Sequence, residues 1–452
     1  FSKDEKDLEF AKKFLEEIFS VKNDANKKHK IIKCCGIKLK VKKDFVDYLK
    51  VMTDSSLYVG IPDNITLQMS FNNDCNCKCK FCSESIATDK SNRQVIPEKW
   101  LYEYMLPLYP KTSNIVPTYG EITYCKEGFE YLSWISKNYP HINIFTETNG
   151  IAFNDKWAQL ASENLINMHF SINAINEDYF KKTVWEKDGV YSLVQNNFNH
   201  YLKVLEEKGL SAFKPSVSMV INSTNYETIV EFAKQYVSKG IQFINFYFDN
   251  IENETYCGLK HAKSSAVEEA LITLIELDKV LNGKVHLFYR LFAPTTEIEK
   301  YDCIVEQKDI NSLKEKYSDV LELAKDMDLR KLSEERAQIR KQYGKREYTY
   351  YEDLTGCTYH QKIHNGYSIC SNPWNHLRLR PNGDYNYCSW TPYLHNLKKY
   401  IKNDKIDWKK FFNSYYYRKA RKNFQKRCYL NCMPKCPAFE CISQEEFSKK
   451  YN

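Results

Sequence analysis

Cys75, Cys79 and Cys82 lie in one short stretch, Cys75-Asn76-Cys77-Lys78-Cys79-Lys80-Phe81-Cys82. Three thiolates at this spacing can hold three irons of a four-iron cluster and leave the fourth iron open to a ligand that is not protein. A zinc knuckle is the competing reading, and Cys77 offers further pairings. A second group lies far downstream: Cys357, Cys370, Cys388, Cys428, Cys432, Cys436 and Cys441. Residues 377–387 alternate about Asn382-Gly383 and predict a β-hairpin, with Cys370 and Cys388 near its two ends. A structural zinc site competes there too. Cys34, Cys35, Cys125, Cys257 and Cys303 lack ligand spacing and read as ordinary thiols.

The elements that must carry these thiols follow from periodicity. Residues 65–71 alternate apolar and polar side chains and predict a strand that ends just before Cys75. In a βα barrel, reactive groups ride on loops after the C-terminal ends of strands. Further strands are predicted at 115–118, 141–145, 168–172, 217–221 and 243–248. Helical patterns such as 129–137 and 226–239 lie between them, an alternation that predicts a parallel α/β sheet.

With Phe81 in its aromatic position, Cys75-x3-Cys79-x2-Cys82 resembles the CxxxCxΦC signature of the radical S-adenosylmethionine (SAM) enzymes. The resemblance implies a partial (β/α)6 barrel of TIM type and a SAM-binding 4Fe-4S cluster. It also implies reductive cleavage of SAM to a 5'-deoxyadenosyl radical, which abstracts a hydrogen atom from an unactivated C–H bond. Gly120 and Glu121 fall where the family's GGEP motif binds the SAM amino group, with Tyr119 and Ile122 departing from it. Thr148-Asn149-Gly150 resembles the turn beside the SAM pocket, and Ser171 and Asn173 match residues that contact SAM. Asn222 is a further candidate contact. Each of these has a plain turn or solvated strand end as its alternative. Tyr119, Glu147 and His169 also lie near strand ends, without an assigned acid or base role.

The second cysteine group resembles the SPASM and twitch domains, the auxiliary-cluster extensions of this family. Cys370-x12-Gly383-x4-Cys388 matches their opening. The run Cys428, Cys432, Cys436, Cys441 matches their close with altered spacings and one distal cysteine short. The resemblance implies at least one auxiliary 4Fe-4S cluster on Cys370, Cys388, Cys432 and Cys436, with Cys357, Cys428 and Cys441 as further candidate ligands. Implied partners are a reductase such as flavodoxin or ferredoxin and either a polar small-molecule or a peptide substrate. The Gly-Gly-Cys of peptide-modifying relatives is missing, and the first 63 residues do not read as a leader-binding winged helix. Both favour a sugar or aminocyclitol, in a net oxidation, over a ribosomal peptide.

Composition bounds these readings. The 452 residues hold 16 cysteines, 43% hydrophobic and 27% charged residues, and a formal charge of +8. Cysteines clumped in two places fit metal clusters in a reducing compartment better than a small disulfide scaffold. No apolar run reaches the length of a membrane span and no secretory h-region is visible, so a cytoplasmic protein without membrane contact is expected. The charge permits an anionic substrate, though lysine-rich solvated faces explain it as well. The 34 tyrosines could stack on nucleic acid. No binding motif supports that, so no nucleic acid is expected; a zinc-stabilised, non-catalytic nucleic-acid binder is the alternative from outside enzymology.

Four segments result: 1–63, an N-terminal helix and basic hairpin; 64–255, the barrel; 256–345, a helical connector or insert; and 346–452, the auxiliary-cluster domain. The first is predicted to hold a helix over 5–19 and a hairpin about Gly36. The third is predicted to hold charged helices over 265–281 and 313–340.

Overall fold

The computed structural model describes residues 19–23, 29–34, 37–82, 93–249, 252–253, 256–257, 264–289, 295–346, 361–364, 367–370, 372–388 and 395–425. Among these residues there are two compact units, one drawn from Phe1–Ile61 and Asp407–Leu430, the other from Pro62–Ile406 and Asn431–Asn452.

The smaller unit opens with a three-stranded antiparallel sheet, β1 (Phe19–Asn23), β2 (His29–Cys34) and β3 (Ile37–Lys42). The hairpin predicted about Gly36 is β2–β3, paired from His29↔Lys42 to Cys34↔Ile37. The helix predicted over 5–19 lies outside the described residues except for Phe19, which opens β1. Helix Lys43–Met52 is joined by helices Trp408–Phe412 and Tyr415–Gln425. The sequence groups residues 407–425 with the auxiliary domain; the structure groups them with the N-terminal segment. Arg421 ties this unit together. Its guanidinium is fully buried and donates to the carbonyls of Leu57, at 2.5 Å, and of Phe412. Burial lowers its pKa to about 10, and the ring of Tyr417 lies 5.9 Å away. Arg421→Ala strands two buried carbonyls, and we expect a loss of about 3 kcal/mol of stability, read by chemical denaturation.

The larger unit is a parallel α/β sheet of partial-barrel type. Its strands are β4 (Ile65–Ser70), β5 (Thr112–Thr118), β6 (Asn143–Thr148), β7 (Asn167–Ser171), β8 (Ser216–Ile221) and β9 (Phe243–Phe248). All six coincide with strands predicted from the sequence. Next come a short hairpin of β10 (Glu252–Asn253) and β11 (Tyr256–Cys257), then β12 (His286–Phe288). β13 (Gln361–His364) and β14 (Tyr367–Cys370) form another hairpin. β15 (His376–Leu379), β16 (Asp384–Asn386) and β17 (His395–Asn396) complete the main sheet. Its order is β12-β9-β8-β7-β6-β5-β4-β15-β16-β17.

Four strands of the main sheet, β12, β15, β16 and β17, go beyond the six-stranded expectation. Residues 286–288, read as a spacer between helices, run parallel to β9. β15, one arm of the predicted hairpin, pairs parallel with β4 from His376↔Thr66 to Leu379↔Met69. The helical stretch predicted over 313–340 is three helices, Ile310–Lys316, Ser318–Leu323 and Leu329–Gln342. Asp309 and Asp328 cap two of them by accepting from backbone N–H groups.

The sheet's two faces differ in chemistry. Phe71 stacks on Tyr131, while Phe170 meets Phe198 and Phe246 meets Phe232 edge to face. Each partner is a helical residue, so residues of this parity face the helical layer, with Leu67, Met69, Leu377 and Leu379 at 0–1% exposure. Alternate residues face the inner side. There Gln68, Ser70, Thr118, Glu147, His169, Ser171, Ser216, Ser218 and Asn245 make a polar surface.

Behind the sheet, buried Glu276 accepts from Lys308, Lys316 (2.7 Å) and the Tyr317 hydroxyl (2.6 Å). Burial alone would raise its pKa, but these three donors outweigh it and hold the carboxyl below its ordinary 4.5. A depressed folded-state pKa means stability present above pH 4.5 and lost as the pH falls through the lower folded value. Glu276→Gln is therefore expected to flatten the acid limb of the unfolding profile below pH 4.5.

Candidate functional site

The loop after β4 carries the first cysteine group. Phe71 N–H donates to Thr118 O, Asn72 forms a single bridge to Val95, and the chain then turns across the ends of β4 and β5. Cys75 and Cys79 are partly accessible and Cys77 is buried. The Cys77 N–H donates to Cys75 Sγ at 3.4 Å, and the Cys77 and Cys79 sulfurs lie 3.5 Å apart. Cys82 N–H closes a turn onto Cys79 O. Burial pushes the Cys75 thiol up to about 12. The Cys79 thiol is also raised, first by its bond with Cys77 and then by burial. Holding these thiols as thiolates requires a positively charged group beside them.

Gly120 follows β5 at φ +65°. A Cβ there would stand 2.1 Å from Asn72 Oδ1 and 2.5 Å from the carbonyl of Asp74, so only glycine permits the two loops to meet. Tyr119, in the position of the motif's first glycine, is also left-handed at φ +76°. The Glu121 N–H donates to Asp74 O at 2.8 Å.

Glu121 is 3% exposed, and both its oxygens are engaged. Oε1 accepts from Thr123 N–H (3.0 Å), Thr123 Oγ1 (2.5 Å) and Thr148 Oγ1 (2.9 Å), and Oε2 accepts from Asn149 N–H (2.6 Å). Burial raises its pKa, and these donors oppose the rise. In this structure the carboxyl joins the end of β5 to the end of β6. Thr148 is thereby occupied, and Asn149 becomes the contact to the cysteine loop. The Asn149 side-chain amide donates to Asn76 Oδ1 at 2.9 Å and reaches Cys75 Sγ at 3.6 Å, while its Oδ1 accepts from Ile151 N–H.

Ser171 and Asn173 meet at the end of β7, where the Asn173 amide donates to Ser171 Oγ at 2.9 Å. Asn173 Oδ1 accepts from Val220 N–H, which pins the left-handed Asn173 (φ +65°) to β8. Asn222 is fully buried in a turn, its Oδ1 accepting from Thr224 N–H. Burial there leaves it as a turn former rather than a wall of a pocket.

The structure therefore gathers Cys75, Gly120, Glu121, Thr148 and Asn149 into one bonded assembly, with Ser171 and Asn173 at the next strand end. Of the second cysteine group, Cys388 is described and buried, and Cys370 ends β14. Cys357, Cys428, Cys432, Cys436 and Cys441 lie outside the described residues. Among the described residues no cluster of three His, Cys, Asp or Glu side chains converges on a single-ion site.

Sequence reasoning missed Asn72 and Thr123, which brace the two loops and carry no motif of their own. Glu147 and His169 are cross-strand neighbours on the inner face. Desolvation lowers His169 to about 4, with its Nδ1 2.7 Å from Ser216 Oγ. His169 is accordingly neutral at pH 7.

Residues 69–236 match the model of the Radical SAM superfamily. The FeMo cofactor biosynthesis protein NifB of Methanocaldococcus jannaschii is 23% identical over 38% of this chain and 65% of its own. NifB of Chlorobaculum tepidum is 25% identical over 38% of this chain and 44% of its own. The chain thus spans less than two thirds of these relatives. Streptococcus suis SuiB bound to S-adenosylmethionine aligns with a TM-score of 0.49 at 11% identity, covering 84% of this chain and 72% of SuiB. S-adenosylmethionine and a 4Fe-4S cluster are the cofactors of a radical SAM domain, and the site fits them. Three cysteines on one loop, a glycine that admits no Cβ and a carboxyl bound to the facing turn lie at neighbouring strand ends. No described helix is long and apolar enough to cross a membrane.

Proposed function

With a radical SAM domain over residues 69–236 as the premise, we propose that this chain abstracts a hydrogen atom from an unactivated C–H bond of a polar small molecule, such as a sugar or aminocyclitol, in a net oxidation. The observation that carries the reading is the bonded assembly of Cys75, Gly120, Glu121 and Asn149 across three strand ends.

Cys75, Cys79 and Cys82 would hold the SAM-binding 4Fe-4S cluster. Bound there, cluster and S-adenosylmethionine supply reductive cleavage and, from it, hydrogen-atom abstraction. The chain's own residues position and shield. Gly120 brings the backbone close, and Glu121 fixes the Thr148-Asn149 turn. The Asn149 amide approaches the Cys75 sulfur, where such contacts tune a cluster. Ser171 and Asn173 offer polar contacts to S-adenosylmethionine from the next strand end, and Asn222 shapes the turn after β8. Cys370, Cys388, Cys432 and Cys436 are the proposed auxiliary ligands, with Cys357, Cys428 and Cys441 as further candidates; the assignment of a net oxidation rests on them. A flavodoxin or ferredoxin would deliver the electron, in a cytoplasmic setting.

Formation of 5'-deoxyadenosine by the reconstituted protein, across panels of polyols, aminocyclitols and candidate precursor peptides, tests the proposal. Turnover with peptides alone would overturn the small-molecule substrate and leave a peptide maturase. Asn149→Ala removes the contacts to Asn76 and Cys75. It is expected to lower 5'-deoxyadenosine formation roughly tenfold, the worth of one to two kcal/mol.

A further inference from the structure

The six strands β4 to β9 contain no Lys, Arg or Asp, and their one Glu is Glu147. It stands on the inner face of β6, directly before the Thr148-Asn149 turn, and pairs across to His169 of β7. The two glutamates of this region have opposite surroundings. Glu121 is 3% exposed, and its oxygens take four hydrogen bonds that join two strand ends. Glu147 is exposed and, among the described residues, makes no hydrogen bond and no ion pair. Glu121 holds the fold together; Glu147 does nothing for it.

The exposure of Glu147 is to a hollow rather than to an outer surface. β6 lies between β5 and β7 in the interior of the main sheet. Its other face is covered, with Ile144, Thr146 and Thr148 at 1–2% exposure. On the inner side, the short side chains of Ser171 and Ser218 leave room, and Phe145, His169 and Asn245 keep partial access. Sites for small ligands are concave, with a few polar groups placed to fix orientation.

An ionised carboxylate inside such a hollow needs an opposite charge or several donors. No Lys or Arg of β4 to β9 is there to supply the charge, and the adjoining His169 is neutral at pH 7. A neutral polyol would bring hydroxyl donors and leave the charge uncompensated. A protonated amine brings three N–H donors and the compensating charge together. Ser171 and Asn245, on the same face, offer polar atoms to the hydroxyls of the same molecule.

We propose that Glu147 receives a protonated amine of the substrate, so that the substrate is an amine-bearing polyol, of the amino-sugar or aminocyclitol class, rather than a neutral sugar. This rests on the small-molecule radical SAM reading above and names the group by which that site recognises its substrate. Asn149, two residues on, reaches Cys75 Sγ at 3.6 Å, so the bound amine lies on the inner face beside the cysteine loop.

Equilibrium binding of 2-aminocyclohexanol to the reconstituted holoprotein with S-adenosylmethionine, against cyclohexane-1,2-diol as its neutral counterpart, tests the proposal. The amine is expected to bind the wild type roughly tenfold more tightly than the diol. E147Q should bring the two to within about threefold of each other and leave the diol unchanged. If E147Q fails to retain iron, E147D decides: it keeps the charge on a shorter arm and should lose part of the preference. Equal affinity for amine and diol in the wild type overturns the proposal, as does a full preference that survives in both variants. A loss of S-adenosylmethionine affinity in E147Q with the amine preference intact also overturns it and would assign Glu147 to the sulfonium. Failure of the radical SAM reading has a different signature: no iron and no 5'-deoxyadenosine, with the amine preference still dependent on Glu147.

Discussion

Replacing Cys75, Cys79 and Cys82 together by alanine is expected to abolish SAM cleavage and remove one cluster from the protein. Anaerobic reconstitution of the wild type should yield about eight irons per chain, falling to about four in the triple variant. The remaining four would belong to the C-terminal cysteines. The thiols sit on an exposed-to-buried loop outside the sheet's apolar layer, so the variant should retain its circular dichroism. About twelve irons falling to about eight would mean two auxiliary clusters. Iron absent from both proteins would remove the radical chemistry altogether and leave bound zinc as the account of the cysteines.

The second large effect is expected at Gly120. An alanine Cβ there must occupy space 2.1 Å from Asn72 Oδ1 and 2.5 Å from Asp74 O. The asparagine side chain can swing away. The Asp74 carbonyl cannot, because it accepts from Glu121 N–H and leads directly into Cys75. The left-handed backbone adds roughly 1–2 kcal/mol for any residue with a Cβ. Together with overpacking of about 1–3 kcal/mol, Gly120→Ala should weaken S-adenosylmethionine binding by roughly 3 kcal/mol, about a hundredfold. Equilibrium binding to the reconstituted variant checks this; affinity within threefold of wild type would show that the loops do not need their close approach.

The sequence carried the parts of this architecture that are local. Residues 65–71 announced a strand by alternation, and five further short runs stood out between helical patterns. The cysteine triplet and the Gly120-Glu121 and Thr148-Asn149 pairs were legible because a tight turn or a shared metal restricts residue type over a few positions. What escaped was relational. Nothing near His376 says that it will lie beside Thr66, since register between distant strands depends on the whole sheet. β12 is three residues long, too short for a period to show. The charge pattern over 313–340 looked continuous, but Tyr317 and the segment before Leu329 break it. Glu121 was legible as a carboxyl at a strand end; that its oxygens face Thr123, Thr148 and Asn149 depends on two strands meeting.

The pairing of β15 with β4 has a consequence for how the chain is made. β4 emerges early from the ribosome, yet one of its two edges waits for a partner about 300 residues later. At roughly 5–20 residues per second, that edge stays open for some 15–60 seconds of synthesis. An unpaired apolar strand edge is a template for pairing with other chains. Expression trials should therefore find that truncation before residue 376 yields aggregate, while slower synthesis at low temperature, with chaperones in excess, raises the soluble yield of the intact chain.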